Sequence, residues 1–196
     1  MSNTSRSKPP VNRMENYAKI LAIFESAGTI HSRIKIQKMI YILKSLGYPL
    51  NERYEYRHFG PYSEQLASEL TASVNTGFLD EKEADSRSGE DLPPDYQRFD
   101  LSLTDRGRKF LEVTVKKNQQ LRMQAEGIAR VAKHLQGSSP TELELIATLM
   151  YLQDQRVPTD QLNAMLRNLK PKFTSEQASK AIGRIDGLRA QLSMTV

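Results

Sequence analysis

Apolar residues recur at helical spacing in three stretches of the first half of the chain. Residues 12–26 carry the first stripe, which ends before Gly28 and consists of Met14, Tyr17, Ala18, Leu21 and Phe24. Residues 32–46 carry the second, which ends before Gly47 and consists of Ile36, Met39, Ile40 and Leu43. A third helix is predicted after Gly60-Pro61, with a buried edge of Leu66, Leu70 and Val74. We expect these faces to pack together in one core.

Between the helices the pattern changes to an alternation of period two, which is typical of strands. Residues 54–59 and 96–103 alternate in this way, and residues 78–79 begin a further strand. Residues 80–95 are acidic and almost without apolar side chains, which predicts a long mobile loop. Thr104 then caps a long basic helix, whose inward positions are Gly107, Phe110, Leu111 and Thr114.

The rest of the chain is purely helical by the same criteria. Its first helix carries the apolar positions Ile128, Val131 and Leu135. Three N-terminal capping signals start the later helices, at Ser139, Thr159 and Thr174.

The order helix, helix, strand, helix, strand, loop, strand, helix is that of a winged helix. We therefore predict a mainly α protein, a winged helix-turn-helix with a small β wing and a C-terminal helical extension. Residues 1–11 are expected to be a disordered tail and residues 12–118 the winged helix-turn-helix domain. Residues 119–196 are expected to be the extension, which packs on that domain or forms a dimer arm.

Composition narrows the class of protein. The chain has no cysteine, which excludes disulfides, thiolate metal sites and thiol nucleophiles and favours a reducing, cytoplasmic location. Its apolar runs are far shorter than the ~20 residues of a membrane span, so no membrane is expected. The net charge of +5 is unevenly distributed. Residues 104–135 hold eight Lys or Arg against three acids, whereas residues 80–95 hold seven acids against two bases.

The sequence shows no pattern of catalytic residues. Its three histidines, His31, His58 and His134, lie on different predicted elements and lack metal-ligand spacing. A Gly-rich phosphate loop and a nucleophile elbow are both missing from the sequence, and the acids of residues 80–85 lack the positions of a calcium loop. We therefore predict a protein that is not an enzyme and uses no metal and no cofactor.

Several segments resemble one protein family. Residues 35–43, Lys-Ile-Gln-Lys-Met-Ile-Tyr-Ile-Leu, are similar to a helix of the YwgA-like proteins and of the related Panacea (SocA-like) domain. Residues 54–66, with their His-Phe-Gly-Pro-Tyr-Ser turn, resemble the aromatic strand and turn of the same proteins. Residues 145–149 and 170–174 are similar to the end of YwgA-like chains. The resemblance implies a winged helix that binds DNA or, in the Panacea branch, neutralises a toxin by direct binding.

A non-catalytic winged helix with a basic segment favours binding to duplex DNA, as in a prokaryotic transcriptional regulator. Cations would contact phosphates, and polar side chains at the start of the third helix would contact bases. The residues predicted to bind DNA are Arg33, Lys35, Lys38, Arg57, His58, Tyr62, Ser63, Gln65, Ser68, Arg106, Arg108 and Lys109. Glu64 and Glu69 on the third helix oppose this contact, because carboxylates repel phosphates.

The alternative is a protein-interaction module, either antitoxin-like or an accessory subunit, that binds a partner protein without reading DNA sequence. The long helix after Thr104 would then be the arm of a homodimer, and the acidic loop would engage a basic partner. The sequence names neither an operator nor a partner, so both classes stay open at this point.

Overall fold

The computed structural model describes residues 12–84 and 99–193, and these are mainly helical with small antiparallel sheets. This confirms the predicted mainly α class. The helices are α1 Arg13–Ala27, α2 Arg33–Ser45, α3 Glu64–Asn75, α4 Asp105–Lys116, α5 Gln119–Gln136, α6 Pro140–Asp154, α7 Leu162–Leu169 and α8 Ser175–Ser193. The strands are β1 Ile30–His31, β2 Glu55–Arg57, β3 Gly60–Tyr62, β4 Leu79–Glu83 and β5 Phe99–Leu103. None of the described helices has the length and apolar content to cross a membrane.

Polar side chains just before the first turn fix several helix starts. Ser63, Thr104 and Ser139 each accept a hydrogen bond from a backbone N–H in the first turn of α3, α4 and α6. Before α8, the Thr174 N–H donates to Gln177 Oε1 at 2.8 Å, and the Gln177 N–H donates to Thr174 Oγ1 at 3.2 Å. The starts predicted at Thr104, Ser139 and Thr174 are therefore confirmed.

One helical prediction needs correction. Thr159 caps no α-helix, because Thr159–Gln161 form a 3-10 turn and α7 begins after it without a side-chain cap. The basic helix ends at Lys116, and the Asn118 side chain accepts from the Leu121 N–H at the start of α5, the separate helix predicted to carry Ile128, Val131 and Leu135. The role of the basic helix as a homodimer arm stays a prediction.

β5 is the central strand of a three-stranded antiparallel sheet, between β1 and β4. Leu101 pairs with Ile30 of β1, and Leu103 pairs with Leu79 of β4. Because β1 has only two residues, it has no alternation from which the sequence could predict it. The strand predicted over residues 96–103 is present over Phe99–Leu103, and residues 96–98 lie outside the described ranges.

β2 and β3 form a separate antiparallel hairpin between α2 and α3. Its register pairs Glu55 with Tyr62, Tyr56 with Pro61 and Arg57 with Gly60. The expectation that Gly60-Pro61 leads straight into the third helix is therefore wrong, because both residues belong to β3. The strand predicted over residues 54–59 is confirmed as the shorter β2.

The acidic stretch over residues 80–95 is not a loop throughout. Residues 80–83 belong to β4, which pairs with β5 as far as Glu83 opposite Phe99. The strand accommodates its charge because Glu81 accepts two hydrogen bonds from the Arg33 guanidinium, at 2.6 and 2.8 Å. The loop prediction is wrong for these four residues. Residues 85–95 and the predicted tail over residues 1–11 lie outside the described ranges.

α1 and α2 form the centre of the molecule and bury side chains on most of their surface. One contiguous apolar cluster joins them to α3 and to α5 through α8, so the C-terminal helices pack on the N-terminal part. The core residues predicted for the second and third helices are all fully buried: Ile36, Met39, Ile40, Leu43, Leu66 and Leu70. The predicted packing of these two helices in one core is confirmed.

Leu43→Ala is expected to lower the free energy of unfolding by ~2–5 kcal/mol, because it leaves a cavity in a packed core. Urea unfolding followed by circular dichroism measures this change. Val113→Ala is the control, since Val113 is 46% exposed and its truncation should change the free energy by less than ~0.5 kcal/mol. Equal losses in the two variants would contradict the core assignment.

Candidate functional site

The β2–β3 hairpin packs against α2 and α6 and ends in three residues, 57–59, that we term the hairpin tip. Arg57 and His58 are exposed, and Phe59 is partly exposed. The Arg57 guanidinium lies 4.7 Å from the centroid of the Tyr62 ring. The rings of His58 and Phe59 meet edge to face with centroids 4.8 Å apart. The tip therefore presents one cation and two rings at the surface.

Two adjacent side chains of α2 hold the β3 edge of the hairpin. Gln37, which is 2% exposed, donates to the Ser63 carbonyl at 2.8 Å and accepts from the Ser63 N–H at 2.9 Å. Lys38, which is 1% exposed, donates from Nζ to the Pro61 carbonyl at 2.6 Å. Backbone groups of Pro61 and Ser63 thus receive their hydrogen bonds from side chains of α2 rather than from a third strand.

An ion network around the buried Glu144 of α6 supports the hairpin tip. Glu144 pairs with Lys170 at 2.5 Å and with Lys172 at 2.9 Å, and Lys170 also donates to the His58 carbonyl. Burial alone would raise the pKa of the Glu144 carboxyl. The two lysines outweigh this effect, so its pKa lies below the ordinary value. Within the described ranges, no group of three or more His, Asp or Glu side chains is placed to hold a metal ion.

Gly60 permits the close approach of the hairpin to both helices. Its φ of +85° lies in the left-handed region that L side chains rarely adopt. A Cβ at this position would also lie 3.3 Å from Thr148 Oγ1 on α6 and 3.8 Å from Lys38 Cε on α2. Any larger residue at position 60 would therefore combine a strained backbone with a tight contact to Thr148, whereas the contact to Lys38 would be an ordinary one.

Burial lowers the pKa of the Lys38 amine to about 7. The nearby Glu144 carboxylate acts against this shift, and the Lys170 ammonium adds to it. The amine is therefore only partly protonated at neutral pH. Its hydrogen bond to Pro61 does not depend on the charge, since a neutral amine still carries N–H donors.

Three of the residues predicted to bind DNA are buried. Lys35 donates from Nζ to the Gln136 carbonyl at 2.6 Å, and Lys38 is held by the hairpin. The Ser63 hydroxyl accepts from a backbone N–H of α3 at 3.1 Å. The phosphate contacts predicted for Lys35 and Lys38, and the base contact predicted for Ser63, are therefore corrected, because these groups already bind the backbone below the surface.

Three predicted arginines face carboxylates. The ion pairs are Arg33 with Glu81 at 2.6 Å, Arg57 with Glu64 at 2.6 Å, and Arg108 with Glu25. Gln65 likewise donates to Glu69 at 3.0 Å. The structure therefore does not gather the predicted cations into one positive surface around α3. The remaining predicted residues are exposed or partly exposed: His58, Tyr62, Ser68, Arg106 and Lys109.

The sequence reasoning missed the residues that hold the hairpin, which are Gln37, Glu144, Thr148 and Lys170. One usable signal lies in α2, where Gln37 and Lys38 stand between the core residues Ile36 and Met39. Since apolar residues occur on every side of this helix, a polar pair inside it indicates a buried polar contact. The sequence gives no comparable signal for Glu144, whose partners are distant in the chain.

The stability of the wild-type protein is expected to rise relative to Lys38→Met as the pH increases from 7 to 10. The folded chain loses the Lys38 proton near pH 7, whereas the unfolded chain keeps it up to about pH 10.5. The unfolded state therefore binds more protons in this window, and the free energy of unfolding increases by at most ~1.4 kcal/mol per pH unit. Urea unfolding at four pH values measures the difference.

Lys109→Met is the control for this pH series, because Lys109 is exposed on α4. Its unfolding should follow the pH dependence of the wild type. Parallel curves for the wild type and Lys38→Met would show that Lys38 keeps an ordinary pKa in the folded protein.

No model of a known protein family matches this chain. The chain is similar to the uncharacterized protein YwgA of Bacillus subtilis (strain 168), with 28% identity over 176 residues. The aligned part covers 90% of this chain and 98% of the relative. The similarity thus extends over nearly the whole of both proteins, and it supports a YwgA-like family for this chain.

Proposed function

We propose that this protein is a non-catalytic interaction module that binds a partner protein through the hairpin tip and the first turn of α3. The observation that carries the proposal is the tip itself. Arg57, His58 and Phe59 lie at the surface on a hairpin whose backbone is held by two buried side chains, Lys38 of α2 and Lys170 just after α7. Such a tip loses little conformational entropy on binding, and arginine is enriched among the residues that dominate binding energy.

We further infer that residues 12–118 form a winged helix-turn-helix. The sheet order β1-β5-β4 supports this inference, with α3 just before β4, and β4 and β5 in the place of the wing. A helix-turn-helix has a short turn before its recognition helix. Here the β2–β3 hairpin occupies that place, and the ion pair of Arg57 with Glu64 links the hairpin to the first turn of α3.

The charges around α3 favour a protein partner over a phosphate backbone. A DNA-binding surface gains affinity from each phosphate that a free cation neutralises. Arg33 and Arg57 already face Glu81 and Glu64, so each would have to exchange its carboxylate for a phosphate. A protein surface that carries both signs of charge can contact these pairs without separating them. Neutralisation of a toxin, as the Panacea resemblance implies, would be one form of such binding.

Duplex DNA is a second candidate because exposed cations line α4. Arg106, Lys109 and Lys116 lie at the surface of this helix. Binding through α4 would be electrostatic and would weaken as the salt concentration rises. It would not require the hairpin tip, so the two functions predict different effects of substitutions.

The triple variant Arg57→Ala, His58→Ala, Phe59→Ala is expected to lose at least ~tenfold of its affinity for a co-encoded partner protein, which corresponds to ~1.4 kcal/mol. The partner is obtained by co-expression of neighbouring genes with the tagged chain, and its affinity is measured by calorimetry. Arg106→Ala with Lys109→Ala is the matched control and should keep the affinity of the wild type. Unfolding midpoints of all three proteins show whether each is folded.

The same three proteins are tested on duplex DNA in mobility-shift series at several salt concentrations. We expect weak retention that disappears near physiological salt and does not depend on sequence. Sequence-specific retention that the α4 variant loses and the tip variant keeps, without any stable protein complex, would overturn the proposal in favour of DNA binding.

A further inference from the structure

A second surface feature lies beside the hairpin. A cleft of about 480 Å³, here termed the tyrosine cleft, lies between α2, the segment before β2 and the end of α6. The rings of Tyr41, Tyr54 and Tyr151 line it. Tyr41 meets Tyr54 edge to face with centroids 4.9 Å apart, and it is tilted by 46° against Tyr151 at 6.3 Å. The rings therefore form angled walls rather than a flat stack.

Asp154 supplies an oriented carboxylate at this cleft. It accepts a hydrogen bond from the Tyr41 hydroxyl at 2.7 Å and bonds from the Ser45 hydroxyl at 2.9 and 3.1 Å. Asp154 is exposed and is the last residue of α6, where the helix dipole favours a positive charge. Burial and the bond to Asp154 raise the pKa of Tyr41 far above its ordinary value, so the phenol stays neutral.

Two other charged side chains of the cleft, Lys44 and Glu52, form hydrogen bonds with groups of the protein itself. Lys44 donates to the backbone carbonyls of Leu50 and Glu52, at 3.0 and 2.5 Å. The Glu52 carboxylate is fully buried and accepts from Asn16 of α1 at 2.8 Å. Arg53 is exposed at the edge and opposes the entry of a cation. Asp154 and the partly exposed rings of Tyr54 and Tyr151 therefore decide which ligand the cleft selects, with the buried Tyr41 behind them.

We propose that the tyrosine cleft receives the side chain of an arginine from the partner protein. A guanidinium group is planar, stacks on aromatic faces and donates two parallel hydrogen bonds to one carboxylate. The cleft offers these two features together, at the negative end of a helix. The inference rests on the proposed function: Tyr56 of the hairpin packs on Tyr151 with centroids 5.1 Å apart, so one partner surface can cover both features.

The test uses N-acetyl-arginine amide as a probe, titrated into the full chain and followed by backbone amide NMR. We expect saturable shifts at Ser45, Tyr151 and Asp154, and no such shifts with the citrulline analogue, which has the same shape without the charge. Asp154→Asn and Tyr151→Leu should each weaken binding at least fivefold. Arg53→Gln should leave it unchanged or tighten it, because it removes a repelling cation. Asp160→Asn, at an exposed aspartate outside the cleft, should behave as the wild type.

Three results would overturn this inference: no saturable shift, equal binding of the citrulline analogue, or loss of probe binding in Arg53→Gln, because removal of one cation should not weaken the binding of another. The test does not depend on the partner. Probe binding with these specificities supports the cleft even if no protein complex is found, and then only the proposed function fails. A partner complex that Asp154→Asn leaves unchanged refutes the arginine anchor and leaves the role of the hairpin tip intact.

Discussion

The hydrogen bond from Lys38 to the Pro61 carbonyl is the interaction on which the position of the hairpin depends. An amine buried to 1% exposure is costly unless its donors are satisfied, and the carbonyl of β3 and the nearby Glu144 carboxylate offset that cost. The chain therefore has to bring the hairpin against α2 in this one position. The adjacent Gln37 also fixes the chain against α2, because its buried amide forms two hydrogen bonds with the backbone of Ser63. Polar contacts to α2 therefore fix the position of the hairpin, in addition to the packing of Tyr56 on Tyr151.

This placement explains how a three-residue strand pair persists at the surface. An isolated hairpin of this size is at best marginally stable in water. Here α2 binds its β3 edge, Lys170 binds the carbonyl of His58, and Gly60 removes the side chain that would keep the strands away from Thr148. Loss of the Lys38 or the Lys170 side chain would leave a carbonyl of the hairpin without this hydrogen-bond partner. The hairpin, α2 and α6 therefore form one unit.

The helices were largely predictable from the sequence, whereas this unit was not. Apolar periodicity and caps such as Thr104 and Ser139 are local signals, and they locate most helices to within a few residues. β1 and β3 are too short to show a pattern. The prediction that Lys35 and Lys38 are exposed failed because a lysine is usually solvated. Here contacts with Gln136 and with the hairpin, both distant in sequence, bury these two side chains. Long-range polar contacts leave no local signature.

Net charge was a poor guide to the surface around α3 for the same reason. A count of cations describes a field only if each cation is exposed and unopposed. In this fold Lys35 and Lys38 turn inward, and Arg33 and Arg57 each face a carboxylate that the sequence places far away or on another element. What remains near α3 is a surface of mixed sign with aromatic rings. This is the reason for proposing a protein partner: paired charges of both signs can complement another protein surface, whereas affinity for a nucleic acid grows with the number of phosphates that cations neutralise.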